Sequence, residues 1–165
     1  MKKFELTSET KINIFGKKLF RIKALVSFGV VKTGETGGWV EKEENVNQSG
    51  DAWVFGNAEV SDNAWVSGDA RVFDNAMVSG NARVFGDAEV FGNADYTTIH
   101  GFGTQFRTTT FFRCKDKQVK VSCGCFYGTI PEFREQVKNT RDGKIAEEYL
   151  MIADLMEKHF AEEAK

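Results

Sequence analysis

Alanine and valine recur at a fixed interval in the middle of the chain. From residue 50 to residue 96 each returns every six residues, and each valine follows an alanine by two positions. A period of six is neither helical nor that of a hairpin, and it is typical of hexapeptide repeats built from short strands and corners. Because side chains alternate along a strand, we expect alanine and valine to point inward and the intervening residues to point outward. The alanines are Ala52, Ala58, Ala64, Ala70, Ala76, Ala82, Ala88 and Ala94, and the valines are Val54, Val60, Val66, Val72, Val78, Val84 and Val90.

A second period, of eighteen residues, relates every third hexad. Columns of identical residues at this spacing include Phe55, Phe73 and Phe91, and also Asn57, Asn75 and Asn93. Three hexads per turn predict a triangular prism in which like residues stack about 4.8 Å apart, the spacing of neighbouring strands. The predicted fold class is therefore mainly β, with a parallel β-helix formed by a hexapeptide-repeat solenoid.

Two of the three outward faces of this prism carry more aromatic area than a surface in water usually does. We expect either the chain's own flanking segments or a neighbouring subunit to cover them. Fewer than three turns also bury little core, because stacked repeats bury area only against their neighbours. We therefore predict a homotrimer around a threefold axis, with one aromatic face at the interface. The interface candidates are Trp53, Phe55, Arg71, Phe73 and Phe91.

The segments that flank the repeats show patterns of their own. Two short apolar runs, residues 11–15 and 19–24, surround Gly16 and predict an N-terminal β-hairpin that caps the open end of the repeats. A second hairpin is predicted from the runs at residues 111–114 and 119–123. Thr129 and Glu132 have the spacing of a capping box, which predicts a helix that begins there and reaches about residue 139. A final helix is predicted from an apolar stripe at Ile145, Tyr149, Ile152, Met156 and Phe160.

Three stretches of sequence carry a resemblance to known proteins: FELTSETKINIFGKKLFRIKAL, GETGGWVEKEENVNQSGDAWV and FFRCKDKQVKVSCGCFYGTIPEFREQV. With the repeats, they resemble left-handed β-helix proteins of the hexapeptide-repeat type, in particular a poorly characterised set common in bacteriophage and prophage genomes. The resemblance implies the left hand of the helix and a trimer, and it supplies no catalytic residue. We predict three parts: an N-terminal β cap at 1–39, the hexapeptide-repeat β-helix at 40–103, and a C-terminal hairpin with two helices at 104–165.

The net charge of −2 conceals an alternation along the chain. The net charge is +5 over residues 1–39, −8 over 40–96, +4 over 97–130 and −3 over 131–165. A duplex nucleic-acid binder usually shows one dominant basic face, so this pattern argues against that class and leaves room for a local basic pocket. The chain has no apolar run of eighteen residues, no signal-peptide pattern and an odd number of cysteines, three. We therefore expect a cytoplasmic protein without a membrane partner.

Few residues suggest catalysis or metal binding. His100 follows the last regular hexad, and hexapeptide-repeat acyltransferases often use one histidine as a general base. The extended repeats and the long loop that form an acyl-donor groove in such enzymes are missing here, so catalysis by His100 is the alternative hypothesis. Cys114, Cys123 and Cys125 lack the spacing of a zinc site, and we expect Cys123 and Cys125 on one side of a strand as small buried side chains. We predict no metal and no cofactor.

The most informative group of side chains combines aromatic rings with arginine. Trp65 and Arg83 share a column and Phe85 lies beside them, so the guanidinium can lie over the indole. Such residues are typical of a subunit interface, and they also fit a pocket that stacks a base and binds its phosphates. The ligand-binding candidates are Trp65, Arg83, Phe85, Arg107, Arg113 and Lys115.

The leading functional hypothesis is a non-catalytic, homo-oligomeric binding protein. It would capture a small anionic, nucleotide-like molecule or a host protein, and in a phage it would thereby act against a host defence. The alternatives are an acyltransferase that uses His100 and a purely structural oligomerisation module.

Overall fold

The computed structural model describes residues 1–161 and divides into two compact units, Met1–Asn93 and Ala94–Lys165. The N-terminal unit begins with three strands, β1 (Phe4–Ile12), β2 (Lys18–Ala24) and β3 (Thr36–Val40). Seven strands of two residues follow: β4 (Trp53–Val54), β5 (Glu59–Val60), β6 (Trp65–Val66), β7 (Arg71–Val72), β8 (Met77–Val78), β9 (Arg83–Val84) and β10 (Glu89–Val90). Single turns of 3₁₀ helix occur at Glu43–Asn45 and Asn93–Asp95.

The predicted eighteen-residue register is confirmed within the hexads. Strand β7 pairs in parallel with β4 and β10, β5 pairs with β8, and β6 pairs with β9. The predicted inward columns are also confirmed, since every valine from Val54 to Val90 and every alanine from Ala52 to Ala88 is at most 2% exposed. Ala94 departs from the prediction and is exposed, so the inward alanine column ends at Ala88.

The predicted fold class, a left-handed parallel β-helix solenoid, is wrong. The chain is mainly β, with 39% strand and 22% helix, and its strands form four separate small sheets of mixed and antiparallel type in which no solenoid is detected. The physical reason is the length of the hexad strands, because two residues make only a short ladder. The longer strands on both sides pair as antiparallel hairpins, which the repeat period does not encode.

The predicted N-terminal hairpin is confirmed, with longer strands than expected. Strands β1 and β2 are antiparallel, β2 pairs with β3, and β3 pairs in parallel with β5. The turn is organised by Asn13, whose Oδ1 accepts hydrogen bonds from the backbone N–H groups of Phe15 and Lys17, both at 3.0 Å. The side chains of Phe4 on β1 and Leu19 on β2 are completely buried. The hairpin is therefore joined to the hexads through a continuous five-stranded sheet.

Corners between hexads need backbone conformations that few residues adopt. Gly50 has φ of 74°, and a Cβ atom there would lie 2.7 Å from the carbonyl oxygen of Gly68. Asp62 has φ of 58°, and its Oδ2 accepts a hydrogen bond from the N–H of Gly80 at 3.0 Å. At the corners, glycine thus permits two backbone segments to approach closely, and aspartate forms a hydrogen bond with a neighbouring backbone N–H group.

The C-terminal unit combines an antiparallel sheet with two helices. The strands β11 (Tyr96–Phe102), β12 (Arg107–Arg113), β13 (Val119–Cys123) and β14 (Phe126–Thr129) pair in sequence order. The second predicted hairpin is confirmed as β12 and β13. The helices are α1 (Ile130–Thr140) and α2 (Gly143–Phe160).

Helix α1 begins as the sequence predicts. The hydroxyl of Thr129 accepts a hydrogen bond from the N–H of Glu132, and the Glu132 carboxylate accepts one from the N–H of Thr129. Tyr149, Ile152, Met156 and Phe160 of the predicted stripe are buried on α2 against α1 and the sheet. Within residues 1–161 we find no helix long and apolar enough to cross a membrane.

Candidate functional site

The predicted contact between Trp65 and Arg83 is present in the N-terminal unit. The two residues are paired across β6 and β9, and the guanidinium carbon of Arg83 lies 5.9 Å from the centre of the Trp65 ring. Trp65 is half-buried, Arg83 is exposed and Phe85 is half-buried. The binding role of these three residues stays a prediction.

Two clefts adjoin Trp65, and both have an acidic residue in their walls. One has a volume of about 330 Å³ and is lined by Glu43, Glu44 and neutral residues. The other, of about 440 Å³, is lined by Lys42, Glu44 and Arg83 among others. Carboxylates at the wall of a cleft oppose an anionic ligand. The first cleft, with two carboxylates and no basic lining residue, is therefore poorly suited to a phosphate group, whereas Lys42 and Arg83 outweigh Glu44 in the second.

Among the predicted interface residues, Trp53 is covered by the chain itself. It is 1% exposed, and its ring lies 5.8 Å from the ring of Phe4 and 5.3 Å from that of Phe28, both in edge-to-face geometry. We expected either a flanking segment of the chain or a neighbouring subunit to cover this face. For Trp53, the structure shows the flanking segment. Arg71 lies beside Trp53 in the same ladder and is half-buried.

The remaining interface candidates form a ladder of rings. Phe55 and Phe73 are stacked with centroids 4.7 Å apart, and Phe73 and Phe91 with centroids 4.6 Å apart, each pair at 9° between planes. Phe91 is 49% exposed, whereas the other two rings are half-buried. The rings thus cover one another, and whether a subunit also covers them stays a prediction.

In the C-terminal unit, Arg113 is engaged in structural contacts. Its Nε donates to the Asp95 carboxylate at 3.2 Å, and its Nη2 donates to the carbonyl oxygen of Phe160 at 3.1 Å. It therefore ties the end of α2 to the sheet. Lys115 is exposed in the turn between β12 and β13.

His100 lies on β11 opposite Thr108, and its Nδ1 is 3.1 Å from the Thr108 hydroxyl oxygen. The side chain is exposed. Its proposed catalytic role is an untested alternative.

The three cysteines are thiols with different surroundings. Cys114 is buried, Cys123 is half-buried and Cys125 is exposed. The expectation that Cys123 and Cys125 are both buried on one strand is wrong, because β13 ends at Cys123 and the chain reverses at Gly124, whose φ is 61°. Within residues 1–161 no three His, Cys, Asp or Glu side chains come together as a group that could hold a metal ion.

A cavity of about 300 Å³ in the C-terminal unit is the best candidate for a binding site. We call it the arginine cavity, since two arginines and no acidic residue are among its thirteen lining residues. The lining residues are Gly103, Thr104, Gln105, Arg107, Cys123, Cys125, Phe126, Phe133, Gln136, Val137, Thr140, Arg141 and Tyr149. Phe133, Val137 and Tyr149 are buried and form its inner wall, whereas both arginines are exposed and form its rim.

Local backbone structure positions the two arginines. Arg107 is the first residue of β12, and its guanidinium lies so close to Gly124 that a Cβ atom on this glycine would overlap it. Arg141 is the C-cap of α1, and its N–H donates to the carbonyl oxygen of Val137 at 2.8 Å. The start of β12, which lies against the turn between β13 and β14, and the corner between the helices thus bring two positive charges to one cavity.

Tyr149 and Cys123 form the polar part of the inner wall. The Thr109 hydroxyl donates to the Cys123 sulfur at 3.2 Å, and Cys123 interacts with the Tyr149 hydroxyl. Burial raises the pKa of Tyr149, and so do the charge and the hydrogen bond of Cys123, while the charges of Arg141 and Arg107 act in the opposite direction. Tyr149 is therefore a neutral phenol near pH 7, and both arginine charges reach it.

Of the predicted ligand-binding residues, only Arg107 lines the arginine cavity. Arg141 was not among the predicted binding residues, and Tyr149 was predicted only as part of the apolar stripe of the final helix. A signal did exist for Arg141, since a basic residue stands at the break between two predicted helices. Nothing in the local sequence of Tyr149 distinguishes it from the other residues of its apolar stripe.

No protein-family model matches this chain, and the curated proteins contain no match to it.

Proposed function

We propose that this chain is a non-catalytic binding protein that holds a small anionic molecule in the arginine cavity. The observation that carries the proposal is the convergence of Arg107 and Arg141 on a cavity without acidic lining residues. Guanidinium groups bind carboxylate and phosphate oxygens in a bidentate manner, and such charge-assisted hydrogen bonds are among the strongest in proteins. Tyr149 adds a neutral hydroxyl donor, because its pKa is raised.

The aromatic lining favours a ligand that also has a planar ring. Phe126, Phe133 and Tyr149 offer ring faces and edges next to the charged rim. A volume of about 300 Å³ is at the low end for ligand sites, which suits a mononucleotide-sized molecule or one end of a larger ligand. A nucleotide-like anion meets both requirements.

The resemblance to proteins of bacteriophage and prophage genomes supplies the biological part of the proposal. In a bacterial cytoplasm, the protein would sequester a nucleotide-like signal of the host and so act against a host defence. The three thiols are compatible with a reducing compartment. The homotrimer expected from the repeats would carry one such cavity on each chain.

Binding can be measured by the thermal stabilisation that ligands confer on the folded state. The probes are inorganic phosphate, mononucleotides, cyclic mononucleotides, ADP-ribose and, as the uncharged comparison, adenosine. We expect a nucleotide probe to raise the melting temperature at hundreds of micromolar, and adenosine to have no effect. The absence of stabilisation by all anionic probes, or equal stabilisation by adenosine, would contradict the proposal.

Variants then test whether the arginine cavity is the site. We expect Arg107→Gln and Arg141→Gln each to weaken binding of the stabilising probe about tenfold or more in calorimetry. Lys138→Gln is the matched control, because Lys138 is an exposed residue of α1 that does not line the cavity. A loss of binding in Lys138→Gln equal to that in the arginine variants would place the site elsewhere.

A further inference from the structure

Helix α2 exposes two large apolar side chains on the side away from its core. Met151 is 70% exposed and Leu155 is 57% exposed. Ala153, midway between them in sequence, is completely buried. At 100° per residue, Met151 and Leu155 each lie about 160° around the helix from Ala153, on either side of the point directly opposite it. The two side chains therefore form one apolar ridge on the surface of α2.

Charged residues flank this ridge with opposite signs at its two ends. Glu148 precedes it, and Lys158 follows it. Each is five positions from Ala153 and so lies about 140° around the helix from it, on the same side as the ridge. Glu148 also has a partner on its own helix, since the Lys144 amino group lies 3.7 Å from its carboxylate. Exposed pairs of this kind contribute little to stability, so a second partner can still pair with Glu148.

One side of the ridge is closed by contacts within the unit. The Nη2 atom of Arg134 on α1 lies 2.8 Å from carboxylate oxygens of both Asp154 and Glu157. These two acidic residues are therefore engaged with α1. The ridge, Glu148 and Lys158 lie outside these contacts with α1.

This arrangement is complementary to itself under a twofold rotation. If two α2 helices pack antiparallel with Ala153 at the centre, each residue faces the one at the same distance on the other side of that centre. Met151 then faces the second copy's Leu155, and Glu148 faces the second copy's Lys158. Both apolar residues are covered, and the ion pair between Glu148 and Lys158 forms twice, as in an isologous interface.

We propose that α2 is a self-association surface through which a second copy of this chain docks antiparallel. This twofold contact is separate from the threefold axis expected from the hexads. It buries few residues, so it belongs to the small, weak class of interfaces, and we expect association at high micromolar concentration. Self-association does not depend on the function proposed for the arginine cavity.

Sedimentation equilibrium of the full chain between about 5 and 500 µM tests for the contact. We expect the mass to double with concentration, whatever the mass of the smallest species. The double variant Met151→Lys/Leu155→Lys should abolish the doubling, whereas Val30→Lys should not, since Val30 is an exposed apolar residue of the other unit at 59% exposure. An unchanged mass across the range, or doubling in the double variant, would overturn the proposal.

Charge exchange tests the antiparallel register. Glu148→Lys and Lys158→Glu should each weaken association about tenfold, because two attractive pairs become repulsive. A mixture of the two variants should associate, and Glu148→Lys/Lys158→Glu in one chain should restore self-association. Circular dichroism checks that each variant is folded. If neither the mixture nor the double exchange restores association, the antiparallel pairing is wrong.

Discussion

The guanidinium group of Arg107 lies directly against Gly124, with no room for a side chain between them. Gly124 also has φ of 61°, a conformation that costs other residues about 1–2 kcal/mol. Gly124 therefore permits both the positive φ of the turn and the close approach of the Arg107 guanidinium.

Replacement of Gly124 by alanine should displace Arg107 and weaken anion binding at the arginine cavity about tenfold, because a charge-assisted contact is lost. Gly56→Ala is the matched control, since Gly56 has φ of 59° and open space around its Cα. Both variants should lose about 1–2 kcal/mol of unfolding free energy from backbone strain. Only Gly124→Ala should lose affinity in calorimetry, and equal affinity in the two variants would show that Arg107 does not contact the ligand.

Lys3 should make the stability of the protein depend on alkaline pH. It is 4% exposed, its Nζ donates to the carbonyl oxygens of Gly50 at 3.1 Å and Ala52 at 2.8 Å, and burial lowers its pKa from 10.5 to about 8. Between these two values the unfolded chain binds more protons than the folded chain does. Stability should therefore rise with pH in this window, by at most about 1.4 kcal/mol per pH unit.

The measurement for Lys3 is the unfolding free energy at pH 7 and pH 9.5. The gain at the higher pH should be present in the wild type and in Lys18→Met, an exposed-lysine control, and should be missing in Lys3→Met. The same pH dependence in Lys3→Met and the wild type would assign the gain to other groups.

Asp62 should contribute stability that is lost in acid. Its carboxylate forms an ion pair with Lys17 and accepts a hydrogen bond from the N–H of Gly80, and both contacts lower its pKa. A lowered pKa means that stability is present above the ordinary value of 3.8 and declines as pH falls through the lower value. Asp62→Asn should lower the melting temperature at pH 7 and narrow its difference from the wild type at pH 2–3.

Asp74→Asn is the control for Asp62, because Asp74 stands at an equivalent corner with φ of 55° and is exposed. Asparagine tolerates this conformation, so the control keeps the backbone. A similar loss at pH 7 in both variants would mean that corner geometry, and not the ion pair with Lys17, accounts for the effect.

Among the stacked phenylalanines, we expect Phe73, the middle ring, to contribute most to the unfolding free energy. Phe73 stacks on both Phe55 and Phe91, whereas Phe55 stacks on Phe73 alone among the rings of the ladder. Each stacked pair contributes about 1 kcal/mol beyond the buried area. We expect Phe73→Leu to reduce the unfolding free energy in urea by about 1 kcal/mol more than Phe55→Leu. Equal losses would show that the rings act through buried area alone.

The sequence predicted features that depend on a strict local pattern. The pairing of Trp65 with Arg83 follows from the eighteen-residue period, and the capping box at Thr129 follows from its spacing to Glu132. Neither requires knowledge of the rest of the chain. Each is confirmed because local geometry alone determines it.

Features that depend on distant segments were beyond the sequence. Trp53 is covered by Phe4 and Phe28, and no local pattern relates these residues. The fold class was wrong for a similar reason, since the repeat period describes the hexads but not the hairpins and helices around them. The arginine cavity combines Arg107 and Arg141 from two elements that meet only when the helices pack on the sheet.

The parallel pairing at intervals of eighteen residues constrains how the length of the hexad segment can change. Removal or duplication of eighteen residues leaves each strand opposite an equivalent strand. The ladder that contains Trp53, Arg71 and Glu89 would then lose or gain one paired residue. Removal of six residues would also keep the alanine and valine columns, but it would move every later outward side chain to a different ladder. Insertions or deletions in the hexad segment should therefore be tolerated best in multiples of eighteen residues, because the strands before and after it then keep their pairing partners.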